Sequence, residues 1–161
     1  MHSEPVRLTF CKLGYRISCR KLCEYLHCRI NYCMKPQTEN WLKIAKYDLS
    51  AAKSCLENKF YLKVFENCHS AIEKLLKGII TENTKSKPPK IHNLLRLVSI
   101  ALLEDLAKET KSLFDDLNNI YIATRYPKDF EELQDYLSKD KAIETYKKVK
   151  RIFKWLEKKI N

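Results

Sequence analysis

The alternation of apolar and polar residues is clearest between Phe60 and Thr84. Apolar side chains recur there every three or four positions, which is typical of a helix with one buried face; they are Val64/Phe65, Cys68, Ala71/Ile72, Leu75/Leu76 and Ile79/Ile80. The opposite face carries Glu66, Glu73, Lys74, Lys77 and Glu82. A helix with so wide an apolar stripe becomes stable only when other elements cover it. The pattern therefore predicts a central helix, running to about residue 83, in a packed domain.

A second apolar seam precedes this helix and predicts another helix over residues 39–58, with Leu42, Ala45, Leu49, Ala52 and Leu56 inward. Because only a short break at Asn58-Lys59 separates the two helices, we expect them to be antiparallel. Pro88 and Pro89 cannot lie inside a helix, so residues 84–90 are predicted to be a loop.

The second half of the chain predicts three further helices. A short one starts near His92, a fourth covers about 104–124, and the last covers about 139–160. The fourth should end near Arg125, because Tyr126 precedes a proline and is pushed out of the helical region. Residues 126–138 are predicted to be an acidic, aromatic connection. The fold class is thus all-α, an up-and-down antiparallel bundle of about five helices.

Residues 1–33 differ in composition from residues 34–161, which we predict to be the bundle domain. The first segment holds five of the seven cysteines and shows weak periodicity. We expect it to be a poorly ordered N-terminal extension, or an addition caused by a start assigned too far upstream. Cys19, Cys23 and Cys28 with His27 suggest zinc, but their spacing lacks the CxxC of structural sites, so no metal is expected.

The formal net charge of +11 is unevenly distributed. Between Lys139 and Asn161 nine Lys or Arg residues face three acidic ones. This balance favours a polyanion partner such as nucleic acid, although a solvated lysine face explains it equally well. Only two glycines occur, which argues against a Gly-rich phosphate loop. No apolar run is long enough to span a bilayer and no signal peptide is visible, so we expect a cytoplasmic protein with no membrane partner.

Four stretches, in order and spacing, resemble the HEPN domains of prokaryotes: WLKIAKYDLSAAKSCLE, FENCHSAIEKLLKGII, KPPKIHNLLRL and ATRYP. The resemblance covers residues 38–158, and AIEKLLKGII is its most specific part. It implies a compact all-α bundle that commonly forms a homodimer. Many such domains are the partner of a minimal nucleotidyltransferase in a toxin–antitoxin system, and others bind nucleotides. No cofactor is implied.

The resemblance also implies a possible enzyme class, since a subset of the family are metal-independent ribonucleases with an Arg-x(4–6)-His motif near the late helices. In this chain Arg125 is followed by YPKDFEELQDY, which contains no histidine. Arg20 and His27 match the spacing only in the N-terminal segment, where we take the match as chance. The chain is therefore expected to bind nucleotide or RNA phosphate rather than cleave RNA. The alternatives are a ribonuclease with another base, such as His92, and a non-catalytic dimerisation module.

The candidate site residues are Arg125, Tyr126, Lys90, His92, Lys74 and Lys77, with Arg125 and His92 the candidates for any catalysis. Arg125 offers a guanidinium fork for phosphate, but a cation in the last turn of a helix also stabilises the helix dipole. His92 lies where a helix begins and could contact an anion there, or could fix the loop. Lys77 stands four residues after Glu73, the favourable order for a helix ion pair. Tyr121, Tyr126 and Tyr136 are candidates to line a pocket near Arg125.

Overall fold

The computed structural model describes residues 34–84, 87–103, 106–126 and 130–160. Within these ranges every regular element is a helix: α1 Pro36–Glu57, α2 Tyr61–Asn83, α3 Leu94–Ile100, α4 Lys108–Arg125, α5 Phe130–Tyr136 and α6 Lys139–Glu157. The predicted all-α helical bundle is confirmed. The segment 1–33, with its cysteines, His27 and Arg20, lies outside the described residues.

Helix α2 is the central element, as its wide apolar stripe predicts. It packs against α1, α3, α4 and α6, and its most extensive contact is with α1. Nearly every side chain from Cys68 to Thr81 is buried, the half-buried exceptions being Ser70 and Lys74. The core around it contains Phe65, Leu75 and Leu76 of α2 together with Phe114 of α4 and Phe153 of α6.

A tight antiparallel turn joins α1 to α2. Lys59 takes a left-handed conformation with φ 63°, and the amide of Phe60 donates to the carbonyl of Cys55 at 2.9 Å. This hydrogen bond closes the end of α1 and reverses the chain. Further along, a Cβ at Gly78 would lie only 3.3 Å from Trp41 Cβ, so the glycine permits the close approach of the two helices.

Lys35 caps the far end of α2. Its Nζ donates to the carbonyl oxygens of Thr81, Glu82 and Thr84 at 2.9, 2.7 and 2.8 Å. These carbonyls belong to the last turn of α2 and its cap, where no further helical amide is available to satisfy them. A cation at this end also interacts favourably with the helix dipole. The residue immediately before α1 therefore ties the start of α1 to the end of α2.

Two features differ from the sequence-based expectation. The connection between α4 and α6 contains the seven-residue helix α5, which the pattern did not indicate. In addition, Glu73 and Lys77, assigned from periodicity to the polar face of α2, are each only 7% exposed. That assignment was wrong for these two residues because four helices surround α2 and leave it no fully solvated face. Among the described residues no helix is both long and apolar enough to cross a membrane.

Candidate functional site

Three ionisable side chains form a line along α2, which contacts Tyr121 of α4 at one end and Trp41 of α1 at the other. His69, Glu73 and Lys77 are spaced four residues apart, so successive turns of the helix place them one above another. All three are buried, His69 completely. Buried charged groups cost free energy unless they are paired and hydrogen-bonded, and they are over-represented at functional sites.

Glu73 is the centre of this line. One carboxylate oxygen, Oε1, accepts a hydrogen bond from Lys77 Nζ at 2.7 Å, and the other, Oε2, lies 3.1 Å from His92 Nδ1. Burial raises the pKa of Glu73, but the hydrogen bonds from Lys77 and His92 more than offset this and hold the pKa below its usual value. Glu73 is therefore ionised at neutral pH. The Glu73–Lys77 ion pair predicted from the sequence is confirmed.

His92 is oriented by this carboxylate. Because ionised Glu73 can only accept, Nδ1 of His92 must carry the hydrogen in their contact. The Nε2 of a neutral His92 is then a free acceptor. The side chain of His92 is 60% exposed, so this nitrogen can meet a ligand from solvent. A carboxylate behind an exposed imidazole fixes its tautomer and ring orientation.

His69 lies beneath Tyr121 of α4. Their ring centroids are 4.1 Å apart and their planes are within 10° of parallel. Burial lowers the pKa of His69 to about 4, although the nearby Glu73 carboxylate opposes this effect. His69 is consequently uncharged at neutral pH. Neither of its ring nitrogens makes a hydrogen bond of ordinary geometry to the described residues.

Tyr121 also connects the buried line to the surface. The guanidinium carbon of Arg125 lies 4.3 Å from the centroid of the Tyr121 ring, and the His92 ring stacks at 5.9 Å from the same centroid. His69 stacks on the same ring at 4.1 Å. Arg125 is exposed and forms no ion pair within the described part of the chain. An exposed, pre-oriented guanidinium is suited to bind an anion.

Asn118 fixes the segment that carries His92. Its side-chain Oδ1 accepts from the amide of Leu94 at 2.9 Å, which joins the start of α3 to α4. The amide nitrogen of the same side chain, Nδ2, is buried and makes no hydrogen bond of ordinary geometry to the described residues. Asn93 caps α3 by accepting from the amide of Arg96 at 2.9 Å. Together these bonds determine where His92 stands relative to Tyr121.

The structure brings together three of the six residues predicted for the site: Arg125, His92 and Lys77. Lys74 lies on the adjacent side of α2 and is paired with the buried Asp48 of α1. Lys90 is exposed two residues before His92, and Tyr126 is 79% exposed just after Arg125. Of the tyrosines considered for a pocket, Tyr121 contacts Arg125, whereas Tyr136 lies against Lys141, whose Nζ is 3.1 Å from its ring centroid.

Sequence reasoning did not assign His69, Glu73 and Asn118 to the site. The available signal was the four-residue spacing of His69, Glu73 and Lys77 next to the apolar stripe of α2. Such spacing alone is equally typical of an exposed ion pair. Only the burial of α2 on all sides distinguishes a buried ionisable line from an exposed ion pair. As for metals, no group of three or more His, Cys, Asp or Glu side chains in the described ranges is placed to hold an ion.

Comparison with known proteins identifies the family. The sequence model of the HEPN domain matches residues 38–159, which is most of the chain. The chain belongs to the HEPN family. A comparison with curated proteins finds no match.

Two solved structures share the fold of this HEPN domain. An archaeal HEPN homologue superposes with a TM-score of 0.63 at 22% identity, covering 79% of this chain and 100% of the homologue. A protein from Thermus thermophilus superposes with a TM-score of 0.65 at 23% identity, covering 78% of this chain and 99% of the other. At these identities the likeness concerns the helical bundle and not the chemistry of the site.

Proposed function

We propose that this HEPN domain is a homodimeric, nucleotide- or RNA-phosphate-binding partner of a minimal nucleotidyltransferase, acting in the cytoplasm as part of a toxin–antitoxin system. Family membership supports the broad role. The observation that carries the binding function is the exposed guanidinium of Arg125, held over Tyr121 beside the oriented imidazole of His92.

Each exposed group near Tyr121 has a role in this proposal; these groups are Arg125, His92, Lys90 and Tyr126. Arg125 binds phosphate oxygens through its guanidinium fork. His92 donates a second hydrogen bond when protonated, and Lys90 adds positive charge close by. Tyr126, 79% exposed, offers a ring face on which a base can stack. The ligand contacts are thus assigned to these four exposed residues.

The buried residues Lys77, Glu73 and His69 hold these exposed residues in position. Lys77 neutralises Glu73, and Glu73 in turn orients His92. His69 supports the ring of Tyr121 from below and so supports Arg125. Lys74 holds α2 against α1 through Asp48 and takes no direct part. A buried ion pair such as Glu73–Lys77 adds little net stability, and we assign this positioning role to it instead.

Calorimetric titration with ATP tests the binding function. We expect Arg125→Ala to weaken binding by about 10-fold or more, since a hydrogen bond to a charged group contributes about 1.5–3 kcal/mol. Arg96→Ala is the matched control, because Arg96 is an exposed arginine on α3, and it should bind ATP as the unmodified protein does. Unchanged affinity in Arg125→Ala would contradict the assignment.

The partnership is tested separately. We expect light scattering to give twice the chain mass, and we expect the protein to co-purify with a minimal nucleotidyltransferase encoded beside it. Expression without that partner should arrest growth, and co-expression should relieve the arrest. A monomer that does not bind the neighbouring gene product would contradict this part of the proposal. That result would not affect the assignment of ATP binding to Arg125.

A second candidate function is favoured by the Glu73–His92 contact. An imidazole held by a carboxylate beside an exposed guanidinium can act as a general base on the 2′-hydroxyl of RNA, while Arg125 stabilises charge on the phosphate. His92 would then act as the general base in place of the family's motif histidine, which does not follow Arg125 in this chain. RNA cleavage by the purified protein in EDTA, lost in both His92→Ala and Arg125→Ala, would support the nuclease. Intact RNA after prolonged incubation would exclude it.

A further inference from the structure

A strip of unpaired positive charge runs along α6. Lys147, Lys150, Arg151 and Lys154 are exposed and recur at the three- and four-residue spacing of one helix face. None of the four forms an ion pair with a described residue. We call these four residues the α6 basic strip. It spans roughly 10 Å along the helix axis.

The lysines of α1 and α2 differ from those of the strip. Every lysine of α1 and α2 is paired with a carboxylate: Lys43 with Glu39, Lys46 with Glu157, Lys53 with Glu57, Lys63 with Glu66, Lys74 with Asp48, and Lys77 with Glu73. A generally solvated lysine surface would show no such division. The strip is therefore a local excess of positive charge, which attracts polyanions.

An open groove of about 520 Å³ adjoins the strip, between the first turns of α4 and the end of α6. Leu113 and Ile152 supply apolar lining, and Trp155 stands at the rim with its side chain 37% exposed. Arg151 lines the groove and also belongs to the strip. Lys159 Nζ lies 5.0 Å from the centroid of the Trp155 ring. The surface thus combines a partly exposed aromatic side chain, apolar walls and adjacent cations, with one carboxylate, Glu109, also in the lining.

This surface is remote from the cluster around Arg125. The groove is at the start of α4, whereas Arg125 is in its last turn, and the 18 residues of the helix separate the two by roughly 25 Å. One mononucleotide cannot reach both. The groove and Arg125 are therefore two separate contact surfaces.

We propose that the α6 basic strip and the Trp155 groove form a binding surface for single-stranded nucleic acid. The strip faces successive phosphates of the strand, and the groove receives one unpaired base, which stacks on Trp155. A ligand that is both anionic and aromatic uses both the cations and the tryptophan, because phosphate contacts satisfy the cations and every base has a π-face. An acidic protein segment would satisfy only the charges.

Fluorescence of Trp155 tests the proposal directly. The chain has two tryptophans, so Trp41→Phe leaves Trp155 as the only reporter. We expect 12-residue oligo(U) and oligo(dT) to quench it, and the comparison of these two distinguishes RNA from DNA as the preferred strand. UMP should quench it at least about 10-fold more weakly, because it lacks the neighbouring phosphates. Equal affinity for UMP, or quenching by a 12-residue polyglutamate as strong as by oligo(U), would overturn the proposal.

Charge variants supply the matched control. Replacing Lys147, Lys150 and Lys154 together by alanine should weaken oligo(U) binding by about 10-fold or more and reduce the salt slope by about 2, as expected for three lost phosphate contacts. Replacing Lys43, Lys53 and Lys63 by alanine removes the same charge from paired positions and should change affinity less than about 2-fold. Equal losses in the two triple variants would show that net charge alone attracts the strand, and would refute the site.

Substitutions of Trp155 and Arg96 complete the test, with binding followed by anisotropy of labelled oligo(U). Trp155→Ala should weaken binding about 10-fold, whereas Trp155→Phe, which retains a ring for stacking and packing, should recover most of the affinity. Arg96→Ala, at an exposed arginine of α3 outside both proposed surfaces, should leave oligo(U) binding unchanged. If Trp155→Ala bound oligo(U) as tightly as Arg96→Ala, the assignment to α6 would be overturned.

Discussion

Among single residues, Glu73 makes the connection between the core of the domain and its surface. Its two carboxylate oxygens contact Lys77, which is buried, and His92, which is exposed. A change inside α2 can therefore alter the orientation of a group that meets solvent. The same carboxylate lies 3.8 Å from the ring of His69, so all three ionisable neighbours respond to its charge.

The buried imidazole of His69 should make the stability of the domain sensitive to acid. The unfolded chain binds a proton at the ordinary histidine pKa of 6.5, whereas folded His69 binds it only near pH 4. The unfolded state thus holds more protons between these values, and stability, complete above pH 6.5, falls as pH decreases towards 4. We expect the titration of His69 to lower the free energy of unfolding by about 3 kcal/mol between neutral pH and pH 4.

His69→Phe is the variant that isolates this effect. It keeps a ring for stacking on Tyr121 but removes the titratable group. Urea unfolding at pH 7 and pH 4 should show a loss of stability in the variant that is about 3 kcal/mol smaller than in the unmodified protein. Identical losses in the two proteins would mean that His69 does not titrate as a buried, neutral imidazole.

Glu73→Gln should destabilise the domain by about 3 kcal/mol, because it leaves the charge of Lys77 buried without its counter-ion. Glu57→Gln is the control, since Glu57 forms an exposed pair with Lys53 of the same i,i+4 type. It should cost less than about 1 kcal/mol. Chemical denaturation at pH 7 measures both, and similar losses for the two variants would contradict the buried arrangement.

Arg125 and His92 could be proposed from sequence because each lies at a recognisable boundary, the proline stop after α4 and the proline-rich entry to α3. Glu73 and His69 could not, because their roles depend on long-range burial. Lys74 and Lys77 illustrate the limit: they are three residues apart, yet one pairs with Asp48 of α1 and the other with Glu73 of α2. Periodicity gives the face of a helix but not the identity of its neighbour.

At the scale of helices, the positions of α1, α2, α4 and α6 follow from apolar spacing and from the prolines that bound them. Helix α4 begins at Lys108 and ends at Arg125, which confirms the end expected from Tyr126 and Pro127. The seven-residue helix α5 was not predicted because two turns are too few to establish a period. The cap that Lys35 supplies to α2 was also not predictable, since 46 to 49 residues separate the partners.

Lys35→Met should destabilise the end of α2. The change retains most of the aliphatic stem but removes three hydrogen bonds from Nζ to terminal carbonyls. We expect a loss of about 2 kcal/mol in the free energy of unfolding. Lys43→Met, at an exposed i,i+4 pair on α1, should lose less than about 1 kcal/mol in the same denaturation experiment. Equal effects would argue against a capping role for Lys35.

Over the whole domain, exposed positive charge lies beside an aromatic ring at both of the proposed binding surfaces. One is Arg125 over Tyr121 at the C-terminal end of α4, and the other is the α6 basic strip beside Trp155, near the N-terminal end of the same helix. The lysines of α1 and α2, in contrast, are each paired with a carboxylate. The bundle thus separates structural charges from charges that are available to a ligand, which the net charge of +11 alone does not reveal.

Arg125 and His92 are proposed to bind the same phosphate group, and nuclear magnetic resonance of the histidine rings can detect this shared contact. His92→Gln assigns the His92 signal. On addition of ATP, that signal should shift saturably in the unmodified protein and in Arg96→Ala, and Arg125→Ala should need at least about 10-fold more ATP for the same shift. A His92 signal that does not move while ATP binds, or that moves equally without Arg125, would contradict the account.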